Sequence, residues 1–166
     1  CMKIVIPDDY QDVVDRLACF ALLRGHDVVR YRTPSRDIDE LAARLADADI
    51  AVAIRERIAF PRELIERLPR LRLIALVGRH SRMIDYAACA ERGIPVATGI
   101  SGSPEAPAEL AVALMLASRR NIAIEAERMR RGECPSTLSH RLRGGTLGVF
   151  GLGAIGSLVA EAGRGL

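Results

Sequence analysis

The stretch LIALVGRHSRMIDYAACAERGIPVATG, residues 73–99, contains a strand–helix–strand unit. The apolar run at residues 71–77 predicts a buried strand, and the pattern at 84–92 predicts a helix that ends at Gly93. Residues 94–97 predict the next strand. A helical crossover makes the two strands that it joins parallel, so this stretch predicts a parallel α/β sheet.

Similar units precede this stretch. Short apolar runs at residues 2–6, 27–31 and 50–54 predict three more strands, each too continuous to have one solvated face. Helices are predicted at 13–21 (closed by Gly25), after a capping box of Asp37 and Glu40, and at 61–68. The alternation predicts a flavodoxin-like, doubly wound parallel sheet over residues 2–100.

Ligands of such sheets bind beyond the carboxyl ends of the strands, near the point where the strand order reverses. The residues that directly follow these strands are therefore the candidates for a site. They are Pro7 and Asp8, Arg55, and the loop Gly78, Arg79, His80 and Ser81.

Composition excludes several function classes. The net charge is only +3, basic residues alternate with acidic ones, and aromatic residues are 4% of the chain, which argues against nucleic-acid binding. The longest apolar run, residues 106–117, is well below the ~18 residues that a membrane span needs. The four cysteines have no metal-ligand spacing with the histidines, which favours reduced thiols in a cytoplasmic protein, with Cys19 and Cys89 in the core.

A long helix is predicted after residue 100. Residues 101–104 form a turn in which Ser103 is the N-cap and Pro104 the first helical residue, and the helix runs to residue 131 before Gly132. Its first half, residues 108–117, is apolar nearly all round. Such a helix must be buried between layers or against a partner chain.

The last segment carries the spacing G-x-G-x-x-G in Gly151, Gly153 and Gly156. It follows a predicted strand at 146–150 and opens a predicted helix, the context in which these glycines hold a dinucleotide pyrophosphate at a helix N-terminus. The alternative is a glycine-rich turn without a ligand. The acidic residue expected about 20 positions later for the ribose would fall beyond Leu166.

Three segments together resemble the D-isomer-specific 2-hydroxyacid dehydrogenases: residues 73–99, SPEAPAELAVALMLASRRNI at 103–122, and LRGGTLGVFGLGAIG at 142–156. The resemblance implies NAD as cofactor, with NADP left open, and hydride transfer between a D-2-hydroxy acid and its 2-keto acid. It also implies a substrate-binding domain at 2–100, and a crossover helix with an incomplete Rossmann domain at 101–166. The chain resembles the N-terminal half of such an enzyme.

The resemblance also assigns roles to residues. The implied cofactor-binding residues are Gly151, Gly153, Ala154, Ile155, Gly156 and Ser103, and the implied substrate-binding residues are Arg55, Gly78, Arg79, His80 and Ser81. Typical members have a glycine at the position of His80 and an aspartate at that of Arg82. Asp85 matches an acidic position of the family, but we interpret it as a helix cap and not as a residue of the chemistry. For Arg55 the alternative is a surface ion pair with Glu56, and for Arg79 an exposed loop position.

No catalytic residue is assigned. In the family, the catalytic arginine, its acidic partner and the histidine follow the glycine fingerprint, and none of His26, His80 and His140 corresponds to that histidine. We therefore expect this chain alone to be inactive, and we expect a homodimer through the crossover helix. A different class of function remains open: a non-catalytic ligand-binding or regulatory module on a dehydrogenase scaffold.

Overall fold

The computed structural model describes residues 1–99 and 102–166. The chain divides into two compact units, Cys1–Gly102 and Ser103–Leu166. Ile100 and Ser101, where the predicted domain boundary and the start of the predicted turn fall, lie outside the described residues.

The first unit contains a five-stranded parallel sheet in the order β2-β1-β3-β4-β5. The strands are β1 (Lys3–Ile6), β2 (Asp27–Arg30), β3 (Ile50–Ile54), β4 (Leu73–Val77) and β5 (Val96–Thr98), and the helices are α1 (Ile38–Leu45), α2 (Arg62–Glu66) and α3 (Tyr86–Glu91). This order is that of flavodoxin-like sheets, so the predicted α/β fold is confirmed.

The hydrophobic core lies in this unit. Val5 and Ile74 of the sheet, Leu45 and Leu64 of the helices, and Phe60 before α2 are all fully buried in one cluster. Cys89 belongs to the same cluster, as predicted, and burial raises the pKa of its thiol. Covering these apolar surfaces is the main force that holds the helices on the sheet.

Two predicted helix caps are present. The Asp37 carboxylate accepts a hydrogen bond from the Glu40 amide at 2.8 Å, and the Asp85 carboxylate accepts one from the Ala88 amide at 2.8 Å. Asp37 and Asp85 therefore begin α1 and α3 by accepting from amides that have no partner within the helix.

The prediction of an α-helix at residues 13–21 is wrong. This region forms two 3₁₀ helices, Val14–Arg16 and Ala18–Leu23, separated by Leu17 in an extended conformation, and neither buries a residue. Cys19, predicted to be in the core, is therefore exposed. The Asp9 carboxylate accepts from the amides of Val13 and Val14, where the first of these helices begins. Because neither helix buries a residue, no core contact among the described residues stabilises a longer α-helix here.

The second unit contains α4 (Glu105–Arg119), α5 (Ile122–Arg130) and α6 (Ala154–Arg164). The single long helix predicted to residue 131 is thus two helices. Asn121 adopts a left-handed conformation with φ of 54°, which asparagine tolerates better than most residues. Its side-chain amide donates to the Thr137 hydroxyl and the Leu138 carbonyl, so a distant loop stabilises the break.

Two further predictions for this unit need correction. Pro104, not Ser103, is the N-cap of α4, and the Ser103 hydroxyl accepts from the Glu105 amide at 3.4 Å. Residues 146–150 form no strand, because no described strand pairs with them. Ala108 is the only residue of α4 that is buried within the described chain, so burial of this helix against a partner chain stays a prediction.

Among the described residues, no helix is both long and apolar enough to cross a bilayer.

Candidate functional sites

The strand order reverses between β1 and β3, where crossovers from two adjacent strands leave in opposite directions. Asp8 follows β1 and Arg55 follows β3, so both lie at the carboxyl edge of the sheet beside this switch point. This is the edge at which the sequence predicts a ligand.

Asp8 is a fully buried carboxylate at this edge. Its Oδ2 accepts a hydrogen bond from the Ile54 amide at 3.3 Å, while its Oδ1 has no partner among the described residues. Burial raises the pKa of Asp8 to about 6, against the opposing effects of the Ile54 amide and the Arg57 charge. The carboxyl group therefore changes its charge within the physiological range.

Arg57 joins the segments that follow β1 and β3. Its guanidinium donates to the Asp8 carbonyl oxygen at 2.8 Å and to the Gln11 side chain at 2.7 Å, and it lies 5.4 Å from the centre of the Tyr10 ring. The sequence analysis did not single out Arg57, although it stands two residues beyond Arg55.

Asp9 has a structural role. Burial acts to raise the pKa of its carboxyl group, but hydrogen bonds from Arg30 and from the amides of Val13 and Val14 outweigh burial, so that the pKa is lowered. The Arg30 guanidinium lies 2.7 Å from the Asp9 carboxylate. Asp9 is thus a fixed anion that anchors the first 3₁₀ helix to β2.

Arg55 is exposed and has a left-handed backbone with φ of 55°. This conformation costs a non-glycine residue about 1–2 kcal/mol, and it is held by the Arg55 amide, which donates to the Val77 carbonyl at 3.3 Å. Arg55 forms no ion pair with any described residue, so the alternative of a surface pair with Glu56 is not realised.

The loop of Gly78, Arg79, His80 and Ser81 follows β4, the strand next to β3. Gly78 has φ of 151°, a value that disfavours any residue with a Cβ atom. The side chains of Arg79 and His80 are exposed, and their amides donate no hydrogen bond to any described residue. These two free amides fit the substrate-binding role that the resemblance implies for this loop, because successive amides can bind an anion such as a carboxylate.

Ser81 differs from its neighbours in the loop because it is buried. Its amide donates to the Tyr86 hydroxyl at 3.2 Å, and its own hydroxyl oxygen accepts from the Met83 amide at 3.1 Å. The Ser81 amide is therefore already used within the protein. Tyr86, which the sequence analysis missed, also stacks on His80 with ring centres 5.1 Å apart.

The glycine fingerprint of the second unit has the geometry of a phosphate-binding turn. Gly151 has φ of 95°, which makes the tight turn, and a Cβ atom at Gly156 would lie 1.9 Å from the Gly151 carbonyl oxygen. Gly153 is the N-cap of α6, and a Cβ atom there would meet no described atom within 4 Å. The first and third glycines are therefore required by the fold, and the second leaves space beside the helix N-terminus.

The packing of α6 supports this turn. A Cβ atom at Gly163 would lie 2.5 Å from Leu147 Cδ2, so the helix passes close to the segment that precedes the fingerprint. The Ser157 amide donates to the Gly153 carbonyl at 2.9 Å as α6 begins. Ala154 and Ile155, the first two residues of α6, thus lie where their amides have no acceptor within the helix.

The face of α4 that carries Leu110 and Leu114 is without cover in the described chain. Leu110 and Leu114 are each 60% exposed, one turn apart.

No group of histidine, cysteine or acidic side chains among residues 1–99 and 102–166 is arranged to hold a metal ion.

Comparison with known proteins decides the family. The model of the D-isomer specific 2-hydroxyacid dehydrogenase catalytic domain matches residues 5–151. The chain belongs to the D-isomer-specific 2-hydroxyacid dehydrogenase family.

Individual members of this dehydrogenase family agree with the match. D-3-phosphoglycerate dehydrogenase of Methanocaldococcus jannaschii is 37% identical over 125 residues, which cover 74% of this chain and 24% of that protein. The crystal structure of phosphoglycerate oxidoreductase from Vibrio cholerae superposes with a TM-score of 0.93 at 40% identity, covering 99% of this chain and 53% of that one.

A D-lactate dehydrogenase from Aquifex aeolicus, solved with NAD and lactic acid, matches with a TM-score of 0.70 at 26% identity over 98% of this chain and 48% of its own. This chain therefore spans about half of each of these dehydrogenase structures, and about a quarter of the Methanocaldococcus enzyme.

Proposed function

We propose that this chain supplies the substrate-binding side and the first phosphate-binding turn of an NAD-dependent D-2-hydroxyacid dehydrogenase. The observation that carries the proposal is the turn at residues 151–156. Gly151 and Gly156 are required by its backbone, whereas Gly153 is not, and leaves open space at the N-terminus of α6.

The turn fits a dinucleotide. Its pyrophosphate would lie against Gly153 and accept from the free amides of Ala154 and Ile155, where the helix dipole favours negative charge. Ser103, exposed before α4, is the further predicted contact. When bound, NAD supplies the hydride acceptor of the reaction, and the NAD-bound Aquifex relative supports NAD as the cofactor.

The substrate would bind at the carboxyl edge of the sheet. Arg55 and Arg79 supply positive charge, and the amides of Arg79 and His80 are free to donate to the carboxylate of a 2-hydroxy or 2-keto acid. Gly78 allows the turn that exposes these amides. The Ser81 amide already donates to the Tyr86 hydroxyl, so Ser81 would donate to the substrate only through its own hydroxyl. Amides and guanidinium groups bind carboxylates through charge-assisted hydrogen bonds.

We also propose that the 166-residue chain alone does not catalyse hydride transfer, that it forms a homodimer through α4, and that it acts in the cytoplasm. The first point follows from the resemblance, which assigns no catalytic position to this chain. The second follows from the exposure of Leu110 and Leu114.

Oxalate, a small dianion shaped like a 2-keto acid, tests the substrate assignment. We expect an NMR titration to shift the amide signals of Arg79 and His80, and Arg55→Ala to weaken binding about tenfold. Arg36→Ala, at an exposed arginine paired with Glu40 on α1, is the matched control and should leave affinity unchanged. Absence of binding at this loop would contradict the substrate assignment.

A further inference from the structure

Tyr86 contacts two consecutive residues of the proposed anion-binding loop through two parts of its side chain. The hydroxyl oxygen accepts a hydrogen bond from the Ser81 amide at 3.2 Å. The ring lies nearly parallel to the imidazole of His80, with an angle of 8° between the planes and 5.1 Å between the centres. One side chain therefore holds both the backbone and a side chain of the loop.

The helix that carries Tyr86 is firmly anchored. The Asp85 carboxylate caps α3, and the Asp85 amide donates to the Phe60 carbonyl at 3.0 Å. Ala88 and Cys89, two and three residues further along, are buried in the core. The position of Tyr86 is thus set by the core and does not depend on the loop.

The loop has amides of two kinds. The Ser81 amide is directed to Tyr86 in a buried position, and the amides of Arg79 and His80 find no acceptor among the described residues. An amide that loses its buried acceptor must find another or pay a desolvation cost. Without the Tyr86 hydroxyl, the loop would have to turn to satisfy the Ser81 amide, and the two free amides would move with it.

We propose that Tyr86 is the positioning residue of the anion-binding loop: it holds the free amides of Arg79 and His80, and the His80 imidazole, in one arrangement for a carboxylate. This inference rests on the proposed function, because the carboxylate is that of the proposed 2-hydroxy or 2-keto acid substrate. Members of the family with glycine at the position of His80 have no side chain there to hold, so the stack is tied to the histidine of this chain.

Two variants separate the two contacts. Tyr86→Phe removes the hydroxyl and keeps the ring, whereas Tyr86→Leu removes both. Tyr31→Phe is the matched control, because the Tyr31 ring lies under Arg44 and its hydroxyl makes no hydrogen bond with the described residues. Each protein is titrated with oxalate, and NMR follows the Ser81 amide and the His80 ring protons.

In Tyr86→Phe we expect faster hydrogen exchange at the Ser81 amide, His80 ring signals that keep a ring-current shift from the remaining aromatic ring, and oxalate binding weaker by about threefold to tenfold. In Tyr86→Leu the His80 signals should also lose the ring-current shift of the stacked phenol, and binding should weaken further. Tyr31→Phe should match the wild type in every respect.

Oxalate affinity that stays at the wild-type value in both Tyr86 variants would overturn the inference, as would unchanged Ser81 and His80 signals. A wild-type chain that does not bind oxalate would overturn the proposed function, and the positioning role with it. In that case the Ser81 and His80 signals still show whether the two contacts exist, so the two failures are distinguishable.

Discussion

The buried carboxylate of Asp8 accepts a hydrogen bond from the backbone amide of Ile54, 46 residues away in the sequence. This bond joins the ends of β1 and β3 at the switch point of the sheet. The other carboxylate oxygen of Asp8, Oδ1, has no partner among the described residues, so the negative charge of Asp8 is poorly compensated.

The first prediction concerns the stability of this buried charge. The pKa of Asp8 is raised from 3.8 to about 6, so the folded state holds its proton more tightly than the unfolded state does. The contribution of Asp8 to stability is therefore greatest below pH 4 and is lost as the pH rises through 6. Between low pH and pH values well above 6, the free energy of unfolding should fall by at most about 3 kcal/mol through Asp8.

Asp8→Asn should remove this dependence of stability on pH. We expect the variant to gain about 1–3 kcal/mol in free energy of unfolding relative to the wild type between pH 5 and pH 8, measured by urea denaturation. Asp39→Asn, at a carboxylate that is 79% exposed, is the control and should show no comparable gain. An Asp8→Asn variant that follows the wild-type pH curve would contradict the assignment.

The second prediction concerns NAD affinity. A helix dipole at an exposed site contributes about 0.3–1 kcal/mol, whereas a dissociation constant of 1 μM needs about 8.2 kcal/mol. We therefore expect calorimetry to show binding of NAD to this chain no tighter than millimolar. Micromolar binding would mean that the described turn is sufficient, or that a second copy completes the site.

The third prediction distinguishes two glycines of the same turn. In a complete chain, Gly153→Val should abolish NAD binding, because the side chain would block the approach of the pyrophosphate to the backbone. The change should leave folding intact, because the space at Gly153 is open and its φ of −75° suits valine. Gly156→Ala should destabilise the second unit, because its Cβ atom would overlap the Gly151 carbonyl. Thermal unfolding followed by circular dichroism gives the comparison. Equal destabilisation by both changes would argue against the described geometry.

The fourth prediction is that the chain is catalytically inert by itself. We expect no NADH-dependent reduction of glyoxylate, pyruvate or hydroxypyruvate above the level of a mock preparation, measured by loss of absorbance of NADH. Turnover that co-purifies with the chain through successive columns would refute this expectation.

The fifth prediction concerns self-association. We expect an isologous dimer that buries Leu110, Leu114 and Ala117, because water exposure of two leucines on one face of α4 is unfavourable. Sedimentation equilibrium should show a dimer for the wild type and a monomer for Leu114→Asp. Leu138→Asp, at a leucine that is 91% exposed outside the helices, should remain dimeric. A monomeric wild type at high concentration would contradict the dimer.

The sequence by itself determined the five strands and the helices α1 to α3 of the first unit in their order along the chain, the caps at Asp37 and Asp85, and the family. These features depend on apolar runs, on hydrogen bonds that span three residues, and on local motifs, all of which can be read along the chain. The positions of Arg55 and the loop after β4 at one edge follow from the same logic, since the carboxyl ends of parallel strands share an edge.

Only the tertiary structure decided the rest. The break at Asn121 depends on a loop 16 residues away in the sequence. The 3₁₀ helices at 14–23 and the missing strand at 146–150 reflect the lack of a packing or pairing partner in the described chain. The unpaired oxygen of Asp8 and the contact between Tyr86 and Ser81, five residues apart, also depend on how strand ends, loop and helix are held in the folded chain. A strand needs a neighbour and a buried polar group needs a hydrogen-bond partner, and neither requirement can be evaluated until the chain has folded.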